Sequence, residues 1–235
     1  MRLLNYKKVF NCIMDDLLIS VGNKKVFIGI SGGIDSAVTA ALCARILDRD
    51  KVFGILMPYG QQSDLQDSRD IVKLLGIKSF EVDIKPMVDS FNYFNNKLVK
   101  ANLMARTRMS VLYSYANLHE GLVMGTTNKS EFSIGYFTKY GDGGCDIEVI
   151  AELYKTEIFQ LAKYLEIPEK FINKKPSAGL WVGQTDESEM GFTYNDLDKF
   201  LQGGHVDADV KNKINNLIKN SEHKRNLPPI ISTEY

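Results

Sequence analysis

A glycine-rich turn between two apolar segments constrains the fold of this chain more than any other feature. The run Val26-Phe27-Ile28 predicts a buried strand, and residues 37–43 predict a helix. Between them stands the turn Gly29-Ile30-Ser31-Gly32-Gly33-Ile34-Asp35-Ser36. A strand, a tight turn and a helix in this order present backbone N–H groups to a phosphate, and glycines let a ligand approach the backbone. The pattern predicts a phosphate-binding loop, although an ordinary surface turn can share its composition.

Strand-like and helical segments alternate along the first half of the chain. Strands are predicted at 26–30, 52–57, about 79–83 and 122–125. Helices are predicted at 3–22, 35–48, 65–75, about 86–93 and 95–119. This alternation predicts a doubly wound α/β fold, with a mainly parallel sheet flanked by helices. Ligands bind such sheets outside the carboxyl ends of the strands, so we expect the loops that start at Ser31 and Thr126 to meet there.

The second half of the chain is less regular. Polar, glycine-rich segments dominate from about 126 to 190, and such loops are more often functional than structural. Further helices are predicted at 154–166, 193–202 and 207–220. The length and composition suit one domain over residues 1–235.

Charge and composition argue against several classes of protein. The chain carries 29 Lys and Arg against 29 Asp and Glu, and this balance disfavours a dedicated nucleic-acid binder. No apolar run approaches the roughly 18 residues of a membrane span. Three cysteines lie far apart in the sequence, which predicts a reducing, cytoplasmic environment: Cys12, Cys43 and Cys145.

The phosphate loop itself indicates a class of ATP chemistry. It lacks the closing Gly-Lys-Ser/Thr of a Walker A loop and the Gly-x-Gly-x-x-Gly of a dinucleotide-binding unit. It resembles the Ser-Gly-Gly-x-Asp-Ser loop of the ATP pyrophosphatases, which hold the pyrophosphate of ATP and transfer AMP to a substrate. The resemblance implies ATP as co-substrate and a three-layer, Rossmann-like fold of the adenine nucleotide alpha hydrolase type. Asp35 beside phosphates suggests Mg²⁺ between them.

A second cluster of motifs indicates the substrate. The segment 125–146 closely resembles the ammonia-dependent NAD synthetases, and the likeness covers most of the chain in the family's order and spacing. Its other segments are Lys100–Met109, Asp146–Thr156, Lys175–Trp181, Gly183–Glu187 and Glu222–Arg225. The resemblance implies synthesis of NAD⁺ from deamido-NAD⁺, ATP and ammonia. The nicotinate carboxylate would form an acyl-adenylate with release of pyrophosphate, and ammonia would then displace AMP.

The resemblance also implies roles for individual residues. Asp35 and Glu131 are the expected Mg²⁺ ligands. The expected ATP-binding residues are Gly29, Ile30, Ser31, Gly32, Gly33, Ile34, Asp35, Ser36, Thr126, Lys155 and Ser177. The expected deamido-NAD-binding residues are Arg106, Lys139, Asp146, His223, Lys224 and Phe137. The expected catalytic residues are Asp35, Lys155 and Asp142. Of these, Asp142 is our own candidate for binding and deprotonating ammonium, although an aspartate in such a turn is often only structural.

Other functions are weighed against this one. Another ATP pyrophosphatase, such as a GMP synthetase module, would share the phosphate loop but not the segments 139–146 and 176–181. A non-catalytic nucleotide sensor could lose Asp35, Glu131 and Lys155, all of which are present. We expect no glutaminase domain, so free ammonia or a separate glutaminase would supply the nitrogen. The family is homodimeric, and the first helix and the 95–119 helix are the candidate interface.

Overall fold

Five parallel strands form one sheet at the centre of the chain. The computed structural model describes residues 4–62, 64–91, 96–176 and 185–233. Within them the strands are β1 (Val26–Gly29), β2 (Val52–Leu56), β3 (Lys78–Glu81), β4 (Leu122–Gly125) and β5 (Ile147–Glu148). They lie in the order β3-β2-β1-β4-β5, and every neighbouring pair is parallel. The strand order reverses between β1 and β4, and this is where ligands bind in doubly wound sheets.

Helices cover both faces of this sheet. They are α1 (Tyr6–Val21), α2 (Ile34–Ile46), α3 (Leu65–Leu75), α4 (Lys85–Asp89), α5 (Lys97–Leu118), α6 (Lys129–Ile134), α7 (Lys155–Tyr164), α8 (Glu169–Ile172), α9 (Asp186–Met190), α10 (Tyr194–Leu201), α11 (Ala208–Asn220) and α12 (Glu222–Arg225). One layer holds α2 with α1, α3 and α7, and the opposite layer holds α4 and α5. A smaller apolar cluster joins α6, α9, α10 and α11 beside the sheet. No helix in the described ranges is long and apolar enough to cross a bilayer.

The helix after β1 is buried on almost every side. Ala37, Ala40 and Ala41 are small enough to let α2 approach the sheet and α7 closely, while Val38 and Leu42 fill the remaining core. A helix that is apolar all round is expected to lie inside a protein rather than on its surface. This packing holds the amino end of α2, and with it the phosphate loop, in a fixed position at the carboxyl edge of the sheet.

The predicted fold class is confirmed, with some differences in its elements. The four predicted strands and the eight predicted helices are present with small shifts at their ends, for example 97–118 instead of 95–119. Five short elements were not predicted from the sequence: β5, which has two residues, and α6, α8, α9 and α12, which have four to six. Elements this short carry too few residues to show a hydrophobic period.

Candidate active site

The phosphate loop is held by its own hydroxyl groups. Ser36 donates from Oγ to the carbonyl of Gly33 at 3.0 Å, and its Oγ lies 3.1 Å from the Oγ of Ser31. The backbone N–H of Gly33 donates to Ser31 Oγ at 3.3 Å. Gly33 caps α2 without a side-chain hydrogen bond, so the first N–H groups of this helix face the carboxyl edge of the sheet. The predicted loop therefore has the geometry of an anion site.

Gly32 is required by this geometry. Its φ of +79° lies in the left-handed region, and a Cβ there would approach the backbone oxygen of Asp64 to 2.8 Å. Lys174 stabilises the contact between Gly32 and the start of α3. Its ammonium lies 3.4 Å from the Gly32 carbonyl oxygen and forms ion pairs with Asp64 and Asp67. The amino end of α3 is thus packed directly against the loop.

A buried lysine joins the two loops that follow β1 and β4. The Lys155 Nζ, on a residue that is 1% exposed, lies 2.5 Å from Asp35 Oδ2 and 3.0 Å from Glu131 Oε1. Asp35 stands in the first turn of α2, Glu131 in the first turn of α6, and Lys155 is the first residue of α7. Three helix N-termini therefore bring the two predicted metal ligands and the predicted phosphate-binding lysine together at the strand-order reversal.

The charges of this cluster are not balanced. Burial raises the pKa of the Glu131 carboxyl to about 7, against the attraction of Lys155. Desolvation disfavours the charge on Lys155, but Asp35 and Glu131 together outweigh it and raise its pKa. Two carboxylates share one ammonium group, so a further cation between them would be stabilised.

The donor set suits Mg²⁺ bound together with ATP. Asp35 and Glu131 supply hard carboxylate oxygens, and Mg²⁺ commonly takes one or two carboxylates with substrate phosphates as its remaining ligands. Among the described residues, no group of three or more His, Cys, Asp or Glu side chains could hold a metal by itself. The pair therefore fits an ion that arrives with phosphate rather than one held in a closed protein cage.

Several residues of the cluster were not predicted from the sequence. Asn128 caps α6 and donates from Nδ2 to Asp35 Oδ1 at 2.9 Å. Tyr194, from α10, places its hydroxyl 3.1 Å from Glu131 Oε1 and 3.0 Å from Asp186 Oδ2, with its ring 4.9 Å from Lys155 Nζ. The Asn-x-x-Glu capping box over 128–131 was a usable signal in the sequence. Nothing local predicts that Tyr194 or Asp186 reaches the site.

A cavity of about 290 Å³ lies beside this cluster. It is lined in part by Thr127, Phe132, Gly143 and Glu148, and by three of the predicted dinucleotide contacts, Phe137, Lys139 and Lys224. The Phe132 and Phe137 rings stack with their centroids 6.1 Å apart. The cavity thus combines an aromatic wall with three cationic side chains, Lys139, Lys224 and Arg225, as a ligand with a flat ring and acidic groups would require.

The remaining predicted dinucleotide contacts lie around or away from this cavity. Arg106 is exposed and donates from Nε to the Lys139 carbonyl at 3.2 Å, while the Lys139 ammonium donates to the carbonyl of His223. Asp146 points elsewhere: it accepts from the Val123 N–H at 2.8 Å and from the Tyr113 hydroxyl at 3.1 Å. Its position indicates that it ties β4 to the following loop, and its predicted ligand contact stays a prediction.

Thr126 lies on the phosphate-loop side of the site, and Asp142 lies on the cavity side. Thr126 directly follows β4 and is half-buried. Asp142 accepts from the Thr138 N–H at 3.0 Å and so closes the turn that leads to Gly143 in the cavity wall. Ser177 lies outside the described residues.

Several known proteins resemble this chain in sequence and in fold. A family model described as NAD synthase matches residues 6–228. An NH(3)-dependent NAD(+) synthetase from Pyrococcus horikoshii is 44% identical, over 97% of this chain and 95% of the relative. The structure of an NMN synthetase from Francisella tularensis has a TM-score of 0.92 and 38% identity, covering 97% of this chain and 99% of that one. An NH3-dependent NAD synthetase from Campylobacter jejuni, in complex with the nitrate ion, has a TM-score of 0.81 and 32% identity, covering 98% and 100%.

Proposed function

The chain belongs to the NAD synthase family, and on that premise we propose that Asp35, Glu131 and Lys155 form its adenylation centre. The enzyme is an ATP-dependent ligase that makes NAD⁺ from deamido-NAD⁺, ATP and ammonia. The contact of the Lys155 ammonium with both carboxylates, at the strand-order reversal, is the observation that carries the proposal.

The chemistry explains why no protein nucleophile is needed. A carboxylate is a poor acyl donor because its oxygen is a poor leaving group. Attack of the nicotinate carboxylate on the α-phosphate of ATP converts this oxygen into part of AMP and releases pyrophosphate. Ammonia then displaces AMP and forms the amide. The protein has to align the two substrates and neutralise charge, and this is the usual basis of catalysis in such transfers.

ATP is proposed to bind along the carboxyl edge of β1 and β4. The N–H groups at the start of α2, with Ser31 and Ser36, would hold its phosphates, and Thr126 would add a contact after β4. Mg²⁺ held by Asp35 and Glu131 would offset the phosphate charge. Lys155 would then exchange a carboxylate partner for a phosphate oxygen. The assignment of Ser177 to ATP remains a prediction from the family resemblance.

Deamido-NAD⁺ is proposed to occupy the cavity beside this centre. Phe137 offers a ring face to the pyridine, and Lys139 and Lys224 offer charge to the carboxylate or phosphates. Arg106 and His223 flank Lys139 and would contact the outer part of the dinucleotide. Each of these assignments follows the resemblance and is supported by the shared location.

Asp142 is proposed to take the proton from ammonium, since free ammonia is the nucleophile. We expect Asp142→Asn to slow amide formation by about 100-fold, as loss of a general base commonly does, while adenylate formation is retained. An asparagine Oδ1 can still accept from the Thr138 N–H, so the turn is preserved. ATP–pyrophosphate exchange reports the first half-reaction and single-turnover NAD⁺ formation the second. Equal losses in both would reject the assignment.

A second acceptor is supported by one structural neighbour. The NMN synthetase of Francisella tularensis has a TM-score of 0.92 against this chain. An enzyme that makes NMN by the same amidation would use nicotinate mononucleotide, which carries the same nicotinate carboxylate but lacks the AMP half. We propose that nicotinate mononucleotide is also an acceptor at the described cavity, because the side chains there contact the ring and its nearest charges.

One assay separates these acceptors and tests the proposed function. The purified chain is supplied with ATP, Mg²⁺, ammonium chloride and either deamido-NAD⁺ or nicotinate mononucleotide, and kcat/KM is measured for each. One AMP should form for each amide, and glutamine should not replace ammonium. Preference for the mononucleotide would reassign the acceptor. Failure of both substrates, with a folded protein that binds ATP, would reject the proposed function.

A homodimer built on α5 is proposed as the assembly. The predicted candidates, α1 and α5, lie on opposite faces of the sheet. Leu98 and Leu118 on α5 are 56% and 74% exposed, and Arg106 of the same helix reaches Lys139 in the cavity wall. Interfaces bury such apolar side chains. Sedimentation should give the dimer mass, and Leu98→Glu should shift it to the monomer. A cytoplasmic location remains a prediction from the free cysteines Cys12, Cys43 and Cys145.

A further inference from the structure

A buried carboxylate outside the substrate sites connects the helices that carry Glu131 and Lys155. Asp198, on α10, is 2% exposed. Its Oδ2 accepts from the backbone N–H of Thr156 at 2.9 Å, and its other oxygen accepts from the hydroxyl of Ser130. The Ser130 oxygen in turn accepts from the backbone N–H of Lys155 at 2.9 Å. The network therefore ends on the immediate neighbour of Glu131 and on Lys155 itself.

This network satisfies the first two N–H groups of α7. Helix N-termini leave such donors without intrahelical partners, and here the acceptors come from α6 and α10 rather than from the residue before α7. Ser130 thereby links the first turn of α6 to the first turn of α7. The link therefore acts beside the direct contact of Lys155 Nζ with Glu131 Oε1 at 3.0 Å and joins the backbone segments that carry these two side chains.

Hydrogen bonds are the main contacts that stabilise the buried Asp198 carboxylate. Burial raises the pKa of this carboxyl, against its hydrogen bonds to Ser130 and Thr156 and the attraction of Lys155. What the position requires is two acceptor oxygens, one for Thr156 and one for Ser130. An ionised carboxylate offers both, whereas an amide offers one acceptor and one donor group.

Tyr194 and Asp198 reach the site from the same face of α10. Tyr194 lies four residues before Asp198 and therefore on the same side of the helix. Its hydroxyl contacts Glu131 Oε1 at 3.1 Å. One face of α10 thus contacts the adenylation centre twice: the Tyr194 hydroxyl contacts Glu131, and the Asp198 carboxylate accepts from the backbone N–H of Thr156, next to Lys155.

We propose that Asp198 is a positioning residue for adenylation, which sets the separation of Glu131 and Lys155 through Ser130 and the first turn of α7. The proposal rests on the proposed function, because it assumes that Glu131 and Lys155 handle ATP. Its effect is confined to the alignment of these two groups. The dinucleotide cavity does not contain Asp198.

The test compares Asp198→Asn with the wild-type enzyme in ATP–pyrophosphate exchange and in steady-state NAD⁺ formation. We expect kcat to fall on the order of 100-fold, because a misplacement of about 1 Å can have this effect. The KM for deamido-NAD⁺ should not change. Thr193→Ala is the matched control: it removes the N-cap of α10 without touching the network, and it should keep the wild-type kcat.

Ser130→Ala covers the case in which Asp198→Asn does not fold. It deletes one hydroxyl group and leaves Thr156 bonded to Asp198, so the fold should survive while the exchange rate falls. Wild-type exchange in this variant would overturn the proposal, as would equal kcat values in Asp198→Asn and Thr193→Ala. Lys155→Ala in the same assay separates the two ideas: if it retains exchange, the proposed adenylation centre fails. If it is inactive while the Asp198 and Ser130 variants are normal, only the positioning role fails.

Discussion

Asp35→Asn is expected to lower kcat/KM for ATP by about 1,000-fold, which corresponds to about 4 kcal/mol of transition-state stabilisation. The substitution keeps the size of the side chain. It removes one of two carboxylates at the proposed Mg²⁺ site and turns an amide toward the Lys155 ammonium, 2.5 Å from the present carboxylate oxygen. In either orientation of the new amide, its Nδ2 would face another donor, either Lys155 Nζ or Asn128 Nδ2. The loss should appear in ATP–pyrophosphate exchange, before ammonia is involved.

The measurement is a titration of the exchange rate with Mg²⁺ at saturating ATP. If Asp35 holds the ion with phosphate, the variant should need more Mg²⁺ and should not regain the wild-type maximum. Asp70→Asn is the matched control, because Asp70 is on the surface of the neighbouring helix α3 and bonds only Lys170 and Gln66 in the described contacts. It should behave as the wild type. Full activity of Asp35→Asn at high Mg²⁺ would remove Asp35 from the metal site.

Local patterns in the sequence were sufficient for the sheet and for one side of the site. Apolar runs such as 26–28 and 52–56 form the strands. A glycine-rich turn after the first of them forms the phosphate loop, which connects β1 to α2. The parallel arrangement follows from helices between successive strands. Because parallel strands end at one edge, the meeting of Asp35 with the residues after β4 could also be predicted.

The site residues that could not be predicted from the sequence are positioned by contacts between distant elements. Tyr194 and Asp198 belong to an ordinary amphipathic helix by their local pattern, and they reach the site only because α10 packs against α6 and α7. Asp146 gives the opposite case. The family resemblance assigns it to the dinucleotide, whereas its two oxygens accept from Val123 and Tyr113 within the chain. The spacing of residues in the sequence predicts neither the position of Tyr194 and Asp198 nor that of Asp146, because both depend on how distant elements pack together.

The second large effect expected at the proposed adenylation centre is a loss of fold stability, which can be measured without substrate. Lys155→Ala is expected to abolish exchange and also to destabilise the fold by about 3–5 kcal/mol, the usual effect of removing one partner of a buried ionic cluster. Asp35 and Glu131 would then face each other without the ammonium that now contacts both, although each remains partly reachable by solvent, which places the loss near the lower end.

Mg²⁺ should restore much of this lost stability. A cation between the two carboxylates would replace the missing ammonium group, and a ligand that binds only the folded state raises its free energy of unfolding. Thermal unfolding of Lys155→Ala should therefore shift upward with Mg²⁺ by more than that of the wild type, in which Lys155 already compensates the charge. Lys129→Ala is the control, because its ion pair with Glu152 lies at the surface. If Mg²⁺ shifts all three proteins equally, the carboxylate pair does not bind the ion in the absence of ATP, and Lys155 is not its substitute.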